Sequence, residues 1–183
     1  MKKIFLILGI VFISIITFLS CRKGDHDPYI SLRSRHTRLI GEWKLTSLNF
    51  SIKRTKPATG AVFSTQTIEY SDSIKKSWDK QNNQTDTIYH EYLTIKDNGM
   101  FKLLMKSTIR NVVQTKSVTN QWYWLDTKKK KTGIMLNGYH SYDIDKLSSK
   151  ELILIYEKVI PASRQTSNLE IYESYEATYT KIK

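Results

Sequence analysis

One thiol, four imidazoles and a scatter of carboxylates are the groups in this chain that could do chemistry. The thiol is Cys21, the single cysteine among 183 residues. It follows Lys2 and Lys3, an apolar run over residues 4–19, and the small Ser20. A basic start, an apolar middle and a small residue before the cut make a secretory leader. The run is also shorter than the ~20 residues a spanning helix needs. Cleavage between Ser20 and Cys21 leaves Cys21 as the first residue of the mature chain. A lone cysteine forms no intramolecular disulfide. Acylated at that position, it would hold the chain to a bilayer with about 0.8 kcal/mol per buried methylene.

The imidazoles are His26, His36, His90 and His140. They do not pair at a metal-ligand spacing, and none neighbours a nucleophile motif. Asp25-His26-Asp27 sets three ligand types side by side, but adjacent residues on a polar spacer make a poor cage. The chain carries no Gly-x-Ser-x-Gly, no phosphate loop and no His-Glu-x-x-His. Glu170 and Glu173 read as carboxylates on the solvated face of a strand. The sequence therefore points to a protein without metal, cofactor or catalytic residue, and not to an enzyme. Losing Lys2 and Lys3 with the leader lowers the formal charge from +12 to about +10. So basic a chain invites a nucleic-acid reading, which export argues against. Anionic headgroups and acidic glycans are the partners that such charge would favour in an envelope. The run from Lys128 to Lys131 reads as a solvated hairpin loop.

The elements that must carry these groups are strands. In Leu39-Ile40-Gly41-Glu42-Trp43-Lys44-Leu45, residues 41, 43 and 45 share one face of a strand and 42, 44 and 46 the other. Trp43 brings a large surface to bury and an N–H that needs a partner. Residues 22–30 are polar, contain Pro28 and lack periodicity, which makes residues 21–30 a tether. Residues 31–40 are expected to form a short helix capped by Ser31. Residues 52–60 read as a basic loop, 61–70 as a strand, and 71–86 as a long polar loop or irregular hairpin. Residues 87–96 alternate with Leu93 and Ile95 on one face, and Asp97-Asn98-Gly99 is a hairpin turn. Phe101, Leu103 and Met105 then face inward, with residues 110–115 continuing that strand into a second hairpin. Trp122 and Trp124 share a face of the next strand. Asn137-Gly138 is a second primed turn, residues 151–160 form the most apolar strand, and residues 169–182 close. Leu169, Ile171, Tyr175, Ala177 and Tyr179 point to one side of that last segment. About eight to ten short strands in a meander make an antiparallel β-barrel, which leaves no long open edge.

Several of these motifs carry a resemblance. Residues 39–45 resemble the Gly-x-Trp first strand of lipocalins, and more closely the opening of bacterial lipocalin-like lipoproteins. Residues 92–101, Trp122-Tyr123-Trp124, residues 144–152 and Tyr179-Thr180-Lys181 resemble later strands of that family in order and spacing. Phe18-Leu19-Ser20-Cys21 resembles a relaxed lipobox. The resemblance implies a signal peptide over residues 1–20 and a lipidated tether over 21–30. It implies an all-β, up-and-down lipocalin-like barrel over 31–183, with a short helix plugging one end. It also implies acyl chains, palmitate among them, on Cys21. Arg22, in place of Asp after the cysteine, implies sorting to the outer membrane, on its periplasmic face or at the cell surface. Lipocalins set an Arg from near the last strand over the first-strand Trp; Lys181 and Lys183 are the basic residues available here. Asp72-Ser73-Ile74 and Asp86-Thr87-Ile88 resemble an O-glycosylation pattern of some Gram-negative envelope proteins, with Ser73 and Thr87 as acceptors.

Two functions follow from such a barrel. In one, it binds a lipid or other small hydrophobic or amphipathic molecule, with Trp43, Phe101, Trp122 and Trp124 as pocket residues or equally as core. In the other, the barrel is filled and serves as a non-catalytic interaction subunit of an envelope complex.

Overall fold

The computed structural model describes residues 34–78, 83–126, 131–164 and 169–182. The leader, Ser20, Cys21, Arg22, His26, Ser31 and Lys128 to Lys130 lie outside the described residues. One short helix, α1 (Arg35–Leu39), precedes β1 (Gly41–Thr55), β2 (Val62–Ser71), β3 (Ile74–Trp78), β4 (Gln84–Ile95) and β5 (Met100–Ile109). Then come β6 (Val112–Trp124), β7 (Gly133–Leu136), β8 (Ser141–Leu147), β9 (Glu151–Ile160) and β10 (Glu170–Lys181). Each strand pairs antiparallel with its successor, and β1 pairs with β10, so the ten strands close into an up-and-down barrel. The expected all-β, lipocalin-like architecture is the one observed.

The barrel has two unlike ends because β1 changes partner along its length. Its first residues, Gly41 to Lys44, pair with Tyr92 to Ile95 of β4. Further along, Ser47 to Thr55 pair with β2. At the α1 end the ring therefore passes from β1 straight to β4, leaving about eight strands. At that size the interior can be filled by side chains or hold one small ligand. At the other end the β2–β3 hairpin is inserted and the barrel widens.

A β-bulge between Leu45 and Ser47 shifts the register of β1 against β10. The extra residue, Thr46, lies outside and donates its hydroxyl to the Thr178 carbonyl (3.0 Å). Beyond it the inward parity of β1 switches. Trp43 and Leu45 face the core before the bulge; Leu48 and Phe50 face it afterwards, opposite Ala177 and Tyr175. A second bulge, at Asp145 in β8, brings both Ile144 and Leu147 into the core.

Helix α1 begins three residues later than expected. Ser34, not Ser31, accepts the Thr37 N–H as the cap (3.1 Å). Residues 52–55 belong to β1, and the expected loop shrinks to a turn closed by the Lys56 N–H on the Ala61 carbonyl (2.9 Å). Of the two alternatives for the polar stretch 71–86, the hairpin is the one observed: residues 74–78 form a strand, β3, paired with β2 and β4. The hairpin's turn holds Asp72 and Ser73 at positive φ (50° and 69°), the geometry for which Asn-Gly is the commoner signal. The expected second hairpin is present, but its turn falls at the start of residues 110–115. Arg110 and Asn111 form a turn at φ 49° and 65°, and Val112 opens β6. The Asp97-Asn98-Gly99 and Asn137-Gly138 turns fall where expected, but positive φ is confined to their glycines. Neither is therefore the primed Asn-Gly turn, which needs it at both central residues.

Candidate functional site

The two ends of the barrel interior differ in chemistry. The plugged end is dry and tightly packed. Trp43 is fully buried and donates its indole N–H to the Leu39 carbonyl at the end of α1 (2.8 Å). Of the two basic residues available near the end of the last strand, Lys181 lies over this ring: its Nζ is 4.9 Å from the Trp43 ring centroid. The same ammonium donates to the Arg38 carbonyl (2.8 Å) and the Ile40 carbonyl (2.6 Å), satisfying carbonyls left open at the helix C-terminus. Arg35 and Arg38 anchor the helix by donating to the carbonyls of Lys131 and Leu147. Trp122 donates to the Lys96 carbonyl (2.9 Å) and stacks on His36 (5.8 Å between centroids). Trp124 meets Trp122 edge to face at 5.6 Å, and His36 is bonded in turn to Asp97. Phe101 is fully buried against Tyr139. The four aromatic residues singled out in the sequence thus sit together as floor and plug. None is among the residues lining the cavity described next.

Above this floor lies a cavity of about 150 Å³, lined by Glu91, Leu93, Leu103, Met105, Leu136, Leu154 and the tyrosines 139, 142, 175 and 179. Glu91 is the unusual member. It is 9% exposed, on a chain whose formal charge is +12. Period two along β4 puts it there. Leu93 and Ile95 face the core, so Glu91 and Tyr89 must face it too. Both carboxylate oxygens accept from buried phenols: Oε1 from Tyr179 and Oε2 from Tyr89, each at 2.6 Å. The Tyr179 hydroxyl also lies 3.3 Å from that of Tyr175. Among the described residues, no Lys or Arg pairs with Glu91. Its charge is held by phenol dipoles alone.

A second, wider space of about 210 Å³ adjoins on the mouth side, lined by Leu48, Phe50, His140, Tyr142, Tyr156 and Tyr175. Tyr142 and Tyr175 line both spaces. The rings form a continuous array. His140 stacks on Tyr156 at 4.5 Å, Tyr156 on Tyr175 at 5.3 Å, and Tyr142 crosses both within 5.6 Å. Phe50, turned inward by the bulge in β1, meets Tyr175 edge to face.

Burial, and after it the charge of Glu91, hold the phenols of Tyr89, Tyr175 and Tyr179 well above the ordinary tyrosine range. Tyr142 is raised by burial first and then by Tyr156. All four remain protonated at neutral pH, so the wall offers π faces and neutral hydroxyl donors rather than a phenolate base. Among the described residues, no group of three His, Cys, Asp or Glu is placed to hold a metal.

Ser73 and Thr87 both lie at the β2–β3–β4 side, half-buried. Ser73 occupies the strained turn and its carbonyl accepts the Tyr89 N–H (2.9 Å); Thr87 is paired with Lys75. Sequence reading passed over Glu91, Tyr89 and Tyr142. The signal for Glu91 was available, because it lies two residues before Leu93, already assigned inward. Tyr175 and Tyr179 were assigned to the correct side of their strand, without a role. No known family model and no curated protein sequence matches this chain.

Proposed function

We propose that this protein is a lipid-anchored envelope protein whose barrel holds one small amphipathic molecule in the cavity around Glu91. The observation that carries this reading is the unfilled space itself. Cores pack to the density of organic crystals, yet about 150 Å³ here stays open beside a buried carboxylate. The lining mixes apolar side chains with a few convergent polar groups, as ligand sites do. The volume lies below the 300–1,000 Å³ of drug-sized pockets, so the occupant is small, or projects into the mouth space past Tyr142 and Tyr175. In this reading the tyrosines contact the ligand, while Trp43, Phe101, Trp122 and Trp124 build the floor beneath it. The role is binding rather than catalysis, with no nucleic-acid partner.

The anchor rests on residues 1–22 alone. The leader, the small Ser20 and the lone Cys21 support acylation, and Arg22 supports the outer membrane. Growth on labelled palmitate tests it: label should appear on the wild-type chain and be lost from Cys21→Ala. Equal label on both removes the anchor. The cavity is tested by titrating the protein with six-carbon alcohols, amines and carboxylates while following tyrosine and tryptophan fluorescence. Saturable change with at least one class supports the pocket; none with any class removes it.

A second reading, an interaction subunit, has its own observation. Val62 and Phe63 at the start of β2, and Val112 and Val113 at the start of β6, are each more than half exposed. Apolar residues at hairpin ends suit contact with another envelope protein. Crosslinking through Phe63 in intact cells, followed by identification of the adduct, would support this reading; the absence of any crosslinked species would count against it.

A further inference from the structure

We infer that the molecule held beside Glu91 is an organic cation, specifically a small quaternary ammonium group, rather than a fatty acid or a neutral lipid fragment. The inference rests on reading the interior as a ligand cavity, and deepens it by naming the chemistry of the occupant.

Three observations lead there. The first is charge. The cavity wall contains one carboxylate and no Lys or Arg. The two groups that touch that carboxylate are neutral phenols. An anionic ligand would face the Glu91 carboxylate at close range, away from bulk solvent, which is unfavourable. A cation would supply the missing counter-charge. The second is the wall. Tyr139, Tyr142, Tyr175 and Tyr179 surround the same small volume. The negative faces of such rings attract a desolvated cation, and aromatic cages of this kind suit alkylated ammonium groups. The interior already holds one cation this way: Lys75, which shares the inward face of β3 with Tyr70 and Thr87 beside it, has its ammonium 5.0 Å from the Tyr89 ring centroid. The third is hydrogen-bonding capacity. Each oxygen of Glu91 already accepts a phenol at 2.6 Å. A primary ammonium brings three strong donors, and Glu91, with two of its about four lone-pair sites taken, has acceptors for two of them at most. A quaternary ammonium brings none and needs only charge and π faces.

Size agrees. The cavity of about 150 Å³ has room for roughly five waters at about 30 Å³ each, the scale of a trimethylammonium head. A short polar tail would reach the mouth only if the Tyr142 or Tyr175 ring turned aside, since the two lie 5.2 Å apart.

The test is isothermal titration of the full chain with choline and with 3,3-dimethyl-1-butanol, which has the same shape and no charge. A third titrant, 1-hexanol, reports on the cavity irrespective of charge. The wild-type protein should bind choline at least about tenfold tighter than its neutral isostere. Glu91→Gln should erase that preference, bringing choline and the isostere to equal affinity. Tyr142→Leu, which removes a π face and leaves Glu91 in place, should weaken choline several-fold more than the alcohol. Equal binding of choline and the isostere by the wild-type protein overturns the cation inference, and does so without any variant needing to fold. Binding of 1-hexanol alone has the same effect and leaves the ligand-cavity reading standing. Failure of all three titrants overturns both.

Discussion

Replacing Tyr179 by Phe isolates the central contact of the interior. The substitution removes one oxygen from a fully buried ring and leaves its packing almost unchanged. It deletes the 2.6 Å bond to Glu91 Oε1 and the 3.3 Å contact with the Tyr175 hydroxyl. Glu91 then keeps a single donor, Tyr89, in a site with no cationic partner. A hydrogen bond to a charged group contributes about 1.5–3 kcal/mol, and a buried acceptor left unmade costs its desolvation as well. We therefore expect a loss of about 2–3 kcal/mol. For a domain of this size each kcal/mol moves Tm by about 2–4 °C, so the fall should be about 4–12 °C. Urea melts should show a lower midpoint with an unchanged slope. Tyr172→Phe is the matched control. Its hydroxyl bonds Glu170 at nearly the same distance, 2.7 Å, but on the solvent side of β10. Water replaces that bond, and Tm should stay within about 1 °C. The cycle with Glu91→Gln completes the test, since the loss from Tyr179→Phe should shrink when the charge is gone. Equal effects of Tyr179→Phe and Tyr172→Phe, or an undiminished loss in the Glu91→Gln background, would refute the assignment of Glu91 as a buried charge held by phenols.

Other perturbations have equally definite outcomes. Lys181→Met removes two bonds to the end of α1 and the cation over Trp43; it should cost about 2 kcal/mol in urea melts, while Lys181→Arg should retain most of the stability. Gly133→Ala puts a Cβ 2.8 Å from a Leu125 methyl and 2.9 Å from the Tyr142 carbonyl, and should cost about 1–3 kcal/mol by thermal melt. Arg110→Asn with Asn111→Gly relieves the left-handed turn between β5 and β6, and should raise stability by about 1 kcal/mol; a fall would show that the Arg110 side chain has an unrecognised role. The raised phenols of Tyr89, Tyr175 and Tyr179 set the alkaline limit. Below the unfolded phenol value near 10 both states are protonated and this contribution to stability is complete. Above it the unfolded chain ionises while the folded chain cannot, so stability falls as pH rises beyond about 10. Urea midpoints at pH 8, 10 and 11, read beside phenolate absorbance, check the sign; an unchanged midpoint at pH 11 would contradict it.

Most of the strand pattern was legible because period two is a local property. Phe101 and Leu103, Leu152 and Leu154, and Ala177 and Tyr179 each announce their face from sequence alone. What was lost follows from two physical causes. Bulges are invisible to a parity rule, so the switch that turns Phe50 toward Tyr175 could not be read from residues 41–55. Turn chemistry was read through its commonest signals. Asn98-Gly99 and Asn137-Gly138 announce themselves by a glycine at positive φ, but Asp72-Ser73 and Arg110-Asn111 hold both residues at positive φ without one, which leaves the bounds of β3 and β6 unmarked. The floor and the cavity were confused for a related reason. Tryptophan is the conspicuous aromatic in a sequence, yet its indole N–H must find a carbonyl. At the plugged end Trp43 and Trp122 find Leu39 and Lys96. Tyrosine carries its hydroxyl at the tip, where it can reach a carboxylate across the barrel. That Tyr89 and Tyr179, on strands β4 and β10, converge on one Glu is a tertiary fact. Only the inward parity of each was written in its own segment.

The central claim is that the interior above the Trp43 floor is a ligand site rather than packed core. Native mass spectrometry of the chain isolated from its own host tests it most directly. Wild-type protein should carry a small noncovalent adduct that is released on gentle activation, and Leu103→Trp, which fills the cavity, should carry none while remaining folded. Bare wild-type protein, or the same adduct on the filled variant, would contradict the claim.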